Sequence, residues 1–338
     1  MRRFGIKRRC FTRPDISREL LENLYQKEKL SMPKIAKMLN TTYDTIWRKM
    51  RKYSIKVRSM SEAKMKYHKS SFSGNLIEKA YMLGLRAGDF SAARACKQIT
   101  INTSSTHIAQ LNMFKCTFEK YSKVDFYKVY IKTDCREAWH IYCRLDSSFE
   151  FLLKKPNRIP KWVLENERYF YSFLAGYADC EACWYLHKQK ESKNFKSRFQ
   201  IVSGDVTILR QINAKLLELG LRSRFRLAYK KEKGHENSFG KYNKDMYCLN
   251  INFQEDIRKL ATILLSLSSH QEKIWKMKFI LENINKGWMD VCQRLQEFKK
   301  FIDETNLNKT SKELRYLHYA TKASDVSAQE ILSPDCRQ

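Results

Sequence analysis

Two acidic residues, Asp89 and Glu181, each end an apolar, glycine-containing segment, residues 81–89 and 173–181. Apolar spacing predicts a helix in both segments, so both carboxylates would lie at helix C-termini, where the helix dipole is negative. Two carboxylates brought together there repel each other unless a cation neutralises them. Such oxygen ligands suit Mg²⁺, or another divalent cation such as Mn²⁺, which would assist phosphodiester hydrolysis. The alternative is that both are ordinary exposed acids at helix ends.

Small residues recur four positions apart in both segments. Gly84 and Gly88 form one such row, and Gly176 and Cys180 form the other. Glycine inside a helix costs about 1 kcal/mol relative to alanine, and the chain has only 10 glycines, so helix propensity does not explain this placement. Rows of small residues allow two helices to pack nearly backbone to backbone. We therefore expect the two helices to pair and to bring their terminal acids side by side.

The elements that must position these helices occur twice. The pattern of helix, strand, strand, helix, strand, strand and helix appears over residues 75–160 and again over 161–285. In the strands, apolar residues such as Ile99 and Ile101 alternate with polar ones, which is typical of a sheet with one buried face. The predicted fold class is therefore α+β, with tandem α-β-β-α-β-β-α repeats. Residues 286–338 are predicted to form a C-terminal helical extension and a disordered tail.

The composition of the chain narrows the class of partner. Its 338 residues include 65 Lys and Arg against 36 Asp and Glu, and the net charge of +29 indicates a polyanion such as DNA or RNA. The 43% hydrophobic content excludes general disorder, and no apolar run has the length of a membrane helix. Ten cysteines at irregular spacing predict reduced thiols in a cytoplasmic, nucleoid-associated protein, with an organelle left open. Cys180 and Cys183 are interpreted as small buried thiols rather than a zinc site.

Residues 1–58 are interpreted as a small all-α basic module, followed by a linker at 59–74. Apolar spacing predicts three helices, at 16–27, 31–39 and 43–52. The pattern from Ile35 to Ile46 resembles the helix-turn-helix, in which the second helix enters the major groove of DNA. The basic residues of that helix are candidates for DNA contact: Arg48, Lys49, Arg51 and Lys52. The alternative is a generic helical bundle with a solvated basic face.

The two acid-bearing segments also resemble a known family. Residues 174–181, Leu-Ala-Gly-Tyr-Ala-Asp-Cys-Glu, are similar to the LAGLIDADG motif, and residues 83–89, Leu-Gly-Leu-Arg-Ala-Gly-Asp, are similar to a divergent copy. The resemblance implies a single-chain, two-repeat LAGLIDADG homing endonuclease. It implies that the motif helices form a pseudo-two-fold interface and that Asp89 and Glu181 serve a Mg²⁺-dependent site that cuts both DNA strands. It further implies two saddle-shaped antiparallel sheets that grip the major groove.

The sequence departs from the family motif at three positions. A glycine follows the final acid in the family, whereas Phe90 and Ala182 stand there in this chain. Ala87 stands where an acid is common in the first motif. None of these changes removes the two terminal acids.

Polar residues alternate with less polar ones in several predicted strands, which predicts a polar face on each sheet. Polar faces of this kind suit contacts with DNA phosphates and base edges. The candidate arginines are Arg144, Arg198, Arg222, Arg224 and Arg226. The alternative for each of them is an ordinary solvated position on a sheet that is packed on one side only.

Three further residues are candidates for accessory catalytic roles. Gln98 and Gln200 are interpreted as matching residues on the second strand of each repeat, where they would position water or a phosphate. The family resemblance implies an assisting lysine, and Lys273 is assigned to this role. The alternatives for the lysine are Lys97, Lys154 and Lys155.

Together these observations predict a site-specific, double-stranded DNA endonuclease of the intron-homing type that acts as a monomer and binds no membrane. The alternative is a catalytically inactive DNA-binding transcriptional regulator that keeps the LAGLIDADG and helix-turn-helix scaffold. A second alternative is an RNA maturase that assists intron splicing through the same basic surface.

Binding to duplex DNA should depend steeply on salt, because each phosphate neutralised by Lys or Arg releases a counterion. For about six to ten phosphate contacts, the affinity should fall by roughly 10³- to 10⁵-fold between about 50 and 200 mM salt. Fluorescence-anisotropy titrations across this range measure the effect. A Kd that does not change with salt would contradict a nucleic-acid partner.

Overall fold

The computed structural model describes most of the chain: residues 16–58, 69–96, 98–131, 136–188, 194–231, 236–237, 240–241, 244–283 and 286–305. The chain divides into two compact units, residues 1–68 and 69–338. Most of the predicted linker and the predicted disordered tail lie outside the described residues. Within the described ranges, no helix combines the length and the apolar character needed to cross a membrane.

The first unit is helical. Its elements are α1 (Arg18–Glu22), which continues as a π-helical turn (Asn23–Lys27), α2 (Met32–Met38) and α3 (Tyr43–Lys52). Thr42 caps α3, since its side-chain oxygen accepts a hydrogen bond from the Thr45 backbone N–H. The helices share one buried apolar cluster that includes Leu21, Ile35 and Ile46. The three predicted helices are present, and the π-helical winding is the feature that the apolar pattern does not indicate.

The second unit carries two copies of one order of elements. The first copy consists of α4 (Leu76–Ala87), β1 (Ser91–Ala95), β2 (Gln98–Ser105), α5 (Ile108–Phe118), β3 (Val124–Ile131), β4 (Arg136–Leu145) and a 3-10 segment (Ser147–Leu152). A short helix, α6 (Lys161–Leu164), leads to the second copy. That copy consists of α7 (Glu167–Glu181), β5 (Ala182–Lys188), β6 (Phe195–Ser203), α8 (Val206–Glu218), β7 (Ser223–Tyr229), a small ribbon of β8 (Glu236–Asn237) and β9 (Gly240–Lys241), β10 (Met246–Ile251) and α9 (Gln254–Leu265).

Each repeat folds its strands into one four-stranded antiparallel sheet. The strand orders are β1-β2-β4-β3 and β5-β6-β10-β7, so the two sheets have the same topology. Ile99 and Ile101 in β2 are fully buried, as are Phe199 and Ile201 in β6, whereas residues between and beside them are partly exposed. One face of each sheet therefore packs on the helices and the other is accessible. The predicted α+β fold and its strand alternation are confirmed.

Helices α4 and α7 pack against each other through glycines. A Cβ atom on Gly84 would lie 2.2 Å from the carbonyl oxygen of Phe173, and a Cβ atom on Gly176 would lie 2.2 Å from the carbonyl oxygen of Tyr81. Each glycine therefore lies against the backbone of the partner helix, where no side chain fits. Most residues of both helices are buried, so this pair forms the centre of the second unit.

The end of the first repeat differs from the expected closing helix over residues 147–155. Only Ser147–Leu152 is helical, and it winds as a 3-10 helix. The Arg86 guanidinium donates to the carbonyl oxygens of Leu152 and Leu153 at 2.8 and 3.3 Å. The Arg86 side chain thus supplies the hydrogen bonds that these carbonyl oxygens would otherwise accept from backbone N–H groups of a longer helix. The prediction of a longer closing helix is wrong for this reason.

Two further helices, α10 (Gln271–Asn283) and α11 (Trp288–Thr305), follow the second repeat. Helix α10 packs against α5, β5 and α9, so it contacts both repeats. Trp275 of α10 stacks on Phe298 of α11 with the ring centroids 3.6 Å apart. The described part of the C-terminal extension is therefore joined to the apolar core of the second unit.

Replacing Gly84 or Gly176 by alanine should destabilise the second unit, because the added methyl group meets a backbone carbonyl that cannot move aside without separating the helices. We expect a loss of about 3 kcal/mol or more in the free energy of unfolding, seen as a lower urea midpoint. Gly204→Ala is the matched control, since a Cβ atom there meets only the flexible Lys244 side chain. Variants at Gly84 and Gly176 as stable as this control would contradict the close helix contact.

Candidate active site

The acid-bearing ends of the two central helices meet. Helix α7 ends at Glu181, whereas α4 ends at Ala87, and Asp89 follows the C-cap residue Gly88. A Cβ atom on Gly88 would lie 2.5 Å from Cβ of Cys180 and 3.6 Å from Cγ of Glu181. The structure therefore brings together the two helix ends that the rows of small residues predict to be neighbours.

Burial and mutual repulsion disfavour charge on both carboxyl groups. Burial raises the pKa of Glu181 to about 7, and the negative charges of Asp89 and Asp205 contribute to the rise. Burial also raises the pKa of Asp89, although the Asp89 side chain still reaches solvent. The ionised pair is thus unfavourable without a cation, and acids perturbed in this way are typical of functional sites.

Two lysines place positive charge at the helix ends. Lys155 Nζ donates to the carbonyl oxygen of Gly88 at 2.9 Å, next to the end of α4. Lys273 Nζ donates to the carbonyl oxygens of Ala178 and Asp179 at 2.6 and 2.5 Å, near the end of α7. Each motif helix therefore has one lysine on its C-terminal carbonyl groups, where the helix dipole is negative. Both lysines lower the pKa values of the two terminal acids.

The structure separates the lysine candidates. Lys273, which the sequence analysis assigns, and Lys155, one of its alternatives, both reach the site. Burial lowers the pKa of Lys273, which indicates an ammonium group held in a region of low polarity. Lys154 is exposed, and Lys97 lies outside the described residues. A catalytic role for Lys273 remains a prediction.

Asp179 on α7 is buried and joins three segments of the chain. Tyr81 Oη and the Ser269 backbone N–H donate to its Oδ2 at 2.7 and 2.8 Å, and the Ser268 hydroxyl donates to its Oδ1. These bonds connect α7 to α4 and to the turn before α10. The matching motif position in the first repeat is Ala87, so this network exists in the second repeat only.

Two residues that the sequence analysis omits act on the acids. Gln110 Nε2 on α5 donates to Asp89 Oδ2 at 3.3 Å. Asp205, the N-cap residue of α8, raises the pKa of Glu181 through its charge, and its Oδ1 lies 3.2 Å from Lys244 Nζ. No motif marks either residue. The only signal is position, since both lie at the helix that follows the second strand of their repeat.

Gln98 and Gln200 do not occupy matching places. Gln200 lies opposite Cys183, the second residue after the motif acid of its repeat. In the first repeat, the second residue after the acid is Ser91, and Asn102 lies opposite it. Gln98 instead lies opposite Ala95, at the turn end of the hairpin. The expected equivalence is wrong because alternation determines the face of a residue but not its distance along the strand. The role of Gln200 remains a prediction.

The residues that follow the motif acids need no glycine in this fold. Ala182 has φ −85° and ψ 151°, which is ordinary extended backbone, and Phe90 also keeps a negative φ. Phe90 is 1% exposed, and its ring centroid lies 5.3 Å from that of Phe114 and 6.2 Å from that of Phe118. The side chain that replaces glycine therefore fills the core of the first repeat and leaves the acid at the helix end.

Four of the five candidate sheet arginines lie on the accessible polar faces: Arg144, Arg198, Arg224 and Arg226. Arg222 differs, because it precedes β7 and its Nε lies 2.7 Å from Oδ2 of Asp256. Its guanidinium also lies 3.4 Å from Glu255, and the Arg222 hydrogen bonds keep the pKa of Asp256 below its usual value. Arg222 therefore differs from the other arginines, because acids in the first turn of α9 already engage its charge, and its contact with DNA remains a prediction.

Three of the four candidate basic residues on α3 are exposed: Arg48, Arg51 and Lys52. Lys49 is partly buried, and its Nζ donates to the Ile16 carbonyl oxygen at 3.5 Å and to Tyr53 Oη at 3.4 Å. Lys49 is therefore less accessible than the other three, because its ammonium group contacts its own unit, and its role also remains a prediction. Contact between the other three and DNA remains a prediction.

The donor set at the helix ends fits a hard divalent cation. Within the described ranges, no group of three or more His, Cys, Asp or Glu residues could hold a metal ion by itself. Mg²⁺ keeps several waters and is often held by one or two carboxylates together with substrate phosphates, so Asp89 and Glu181 suffice for it. Cys180 and Cys183 are free thiols, and burial raises the pKa of Cys180, which disfavours the thiolate that zinc requires.

No protein-family model matches this chain, and no curated protein matches it. Solved structures do show a likeness. The crystal structure of I-DmoI in complex with DNA and Ca is 20% identical, covers 56% of this chain and 90% of that chain, and has a TM-score of 0.36. The homing endonuclease I-WcaI bound to its DNA recognition sequence is 12% identical, with coverage of 59% and 86% and a TM-score of 0.42. The LAGLIDADG homing endonuclease I-SmaMI bound to cleaved DNA is 11% identical, with coverage of 71% and 98% and a TM-score of 0.39.

These solved structures are of homing endonucleases, the class of protein that the two motif segments resemble. Independently of them, this chain has two sheets of the same topology and two central helices whose ends carry the acids. That arrangement is the one that the motif resemblance implies.

The protein without divalent cations should lose stability as the pH rises towards neutrality. Because the pKa of Glu181 is raised from an ordinary 4.5 to about 7, folding favours its protonated form. The resulting stability is present below about pH 4.5 and is lost as the pH rises through about 7. The loss is on the order of 3 kcal/mol. Thermal melts in EDTA across this range measure it.

Mg²⁺ should raise the melting temperature above about pH 7, where Glu181 loses its proton, by binding to the folded state. Glu181→Gln should remove its part of the pH dependence and most of the stabilisation by Mg²⁺. Identical pH and Mg²⁺ responses of the wild type and this variant would show that Glu181 is not part of a cation site.

Proposed function

We propose that this chain is a LAGLIDADG-type endonuclease that hydrolyses phosphodiester bonds at a specific site in double-stranded DNA, with the help of a divalent cation. The contact of the motif helices at Gly84 and Gly176 carries the proposal, because it joins the helix ends that bear Asp89 and Glu181. Glu181 immediately precedes β5, and Asp89 lies two residues before β1. One chain supplies both acids, so a monomer contains the whole site.

The residues at the helix ends have separate tasks in this proposal. Asp89 and Glu181 would hold the cation, which would supply positive charge to stabilise the phosphate that is hydrolysed. Lys155 and Lys273 hold the carbonyl groups of the helix ends and keep positive charge beside the acids. Gln110 orients the Asp89 carboxylate through its hydrogen bond.

A nucleic-acid substrate is supported by the charge of the chain and by its sheets. The net charge of +29 attracts a polyanion. The accessible face of each four-stranded antiparallel sheet carries polar side chains, and such side chains bind phosphates and base edges. Duplex DNA is the substrate that two equivalent repeats with one acid each suit best, since each repeat then faces one strand of the duplex.

The first unit supplies a second DNA contact in this proposal. Helix α3 buries Ile46 and Met50 and exposes three of its basic residues: Arg48, Arg51 and Lys52. A helix with one buried and one basic face, preceded by a short turn and another helix, suits insertion into the major groove. The unit would add affinity for bases outside the part of the target that the sheets cover.

The full chain with Mg²⁺ should cut a plasmid that carries the DNA flanking its own gene. Glu181→Gln and Asp89→Asn should each lower the cleavage rate by more than about 10²-fold, because an amide keeps the size of the side chain but not the charge that holds the cation. Both variants should still bind the duplex. Glu255→Gln, which changes an exposed acid on α9, is the matched control and should cut normally.

The other two functions are separate outcomes of this experiment. Specific duplex binding without cleavage under Mg²⁺, Mn²⁺ or Ca²⁺ would favour the inactive transcriptional regulator. A preference for folded RNA over duplex DNA at equal salt would favour the maturase.

A further inference from the structure

The polar face of the second sheet is cationic. Arg224 and Arg226 are exposed on β7, opposite Asn250 and Cys248 of β10. The strands β5, β6, β7 and β10 contain no Asp or Glu. The other cations on these strands are Lys188, Lys196 and Arg198. An anion that approaches this face therefore meets no opposing charge from the sheet.

The polar face of the first sheet carries rings instead. Tyr127 on β3 lies opposite His140 on β4, and Asp125 lies opposite Tyr142. The ring centroid of Tyr127 is 5.1 Å from that of His140 and 6.1 Å from that of Tyr142. Tyr127 is 51% exposed, and His140 Nδ1 lies 2.9 Å from Ser104 Oγ. Tyr127, His140 and Tyr142 thus form an accessible ring cluster.

The strand registers show that these two sets occupy equivalent positions. One row of cross-strand neighbours in the first sheet is Asn102, Tyr142 and Asp125. The corresponding row in the second sheet is Gln200, Asn250 and Arg224. The next row on the same face is Ser104, His140 and Tyr127 in the first sheet, and it corresponds to Val202, Cys248 and Arg226 in the second sheet. Arginines therefore stand in one sheet where an acid and a tyrosine stand in the other.

The positions of the first sheet that correspond to Arg224 and Arg226 carry no positive charge. Asp125 repels phosphate, and its Oδ1 lies 2.6 Å from Lys123 Nζ. Burial lowers the pKa of His140, so its ring is uncharged near neutral pH and adds surface rather than charge. The Arg144 guanidinium lies 5.4 Å above the ring of Tyr142. On β3 and β4, the accessible face of the first sheet therefore presents the ring cluster where the second sheet presents arginines.

We propose that Arg224 and Arg226 of the second sheet select guanine and that Tyr127 and Tyr142 of the first sheet select thymine. This inference rests on the proposed function. Arg224 and Arg226 match guanine, whose O6 and N7 accept two hydrogen bonds from one guanidinium. Tyr127 and Tyr142 match thymine, whose C5-methyl group takes apolar contacts in the major groove.

Selection from a randomised duplex library tests this inference. The full chain is incubated with the library in EDTA, which removes divalent cations and hence cleavage, and the bound DNA is sequenced. We expect guanine to be enriched on one side of the centre of the site and thymine on the other. Repeating the selection with variants then assigns each side to a sheet.

The variants separate base recognition from charge. Arg224→Ala and Arg226→Ala should each lower the preference for guanine at one position by about 5- to 150-fold and leave the thymine positions unchanged. Arg224→Lys should also lose the guanine preference but keep most of the affinity, because lysine keeps the charge and lacks the planar fork. Tyr127→Ala should weaken the thymine preference alone. Arg222→Ala is the matched control and should change neither side, since Asp256 holds its guanidinium.

Each outcome is decisive. Enriched sites with the same base composition on both sides would overturn the inference, as would an Arg222→Ala effect equal to that of Arg224→Ala. Both results would leave the endonuclease proposal standing. Failure of the full chain to enrich any duplex would overturn the proposed function and this inference with it.

Discussion

The close contact of α4 and α7 is the constraint on which the rest of the second unit depends. Gly84 and Gly176 each lie against the backbone of the partner helix, so any side chain there would force the helices apart. Each helix leads directly into the first strand of its sheet. The same contact therefore fixes the distance between the sheets as well as that between Asp89 and Glu181. A side chain larger than glycine at either position would meet the backbone of the partner helix and would move the two acids apart.

Opposing electrostatic effects meet where these helices end. Burial acts against the ionised forms of Asp89 and Glu181 and raises both pKa values, and the charges of Asp89 and Asp205 add to the rise at Glu181. Lys155 and Lys273 reduce the effect by placing ammonium groups on the carbonyl oxygens of the same helix ends. Burial lowers the pKa of Lys273, so this positive charge is itself held against a desolvation cost. A divalent cation held by Asp89 and Glu181 would relieve the remaining repulsion, because oxygen ligands and a double positive charge suit these carboxylates.

The two repeats share a backbone but differ in the side chains that stabilise it. Asp179 is held by Tyr81 and by the turn before α10, whereas its counterpart Ala87 makes no such bonds. In the first repeat, Arg86 performs a comparable task by reaching the carbonyl groups of the 3-10 segment. The sheet faces differ in the same way, with arginine in one where the other has an acid or a ring. Two copies of one topology thus bring the two acids together, and their divergence gives the two sheets different accessible faces.

Local patterns in the sequence by themselves determined the order of helices and strands, the buried face of each strand and the pairing of the motif helices. The pairing could be predicted because glycine lowers the stability of a helix, and a close helix contact such as that at Gly176 explains why it is nevertheless present. Only the tertiary structure decided that Asn102 rather than Gln98 matches Gln200, that Arg222 is engaged by an acid on α9, and that Gln110 reaches Asp89. The physical reason is that strand register and contacts between distant segments arise from packing in three dimensions. Periodicity tells which face of an element is buried, but not which residue of another element lies opposite it.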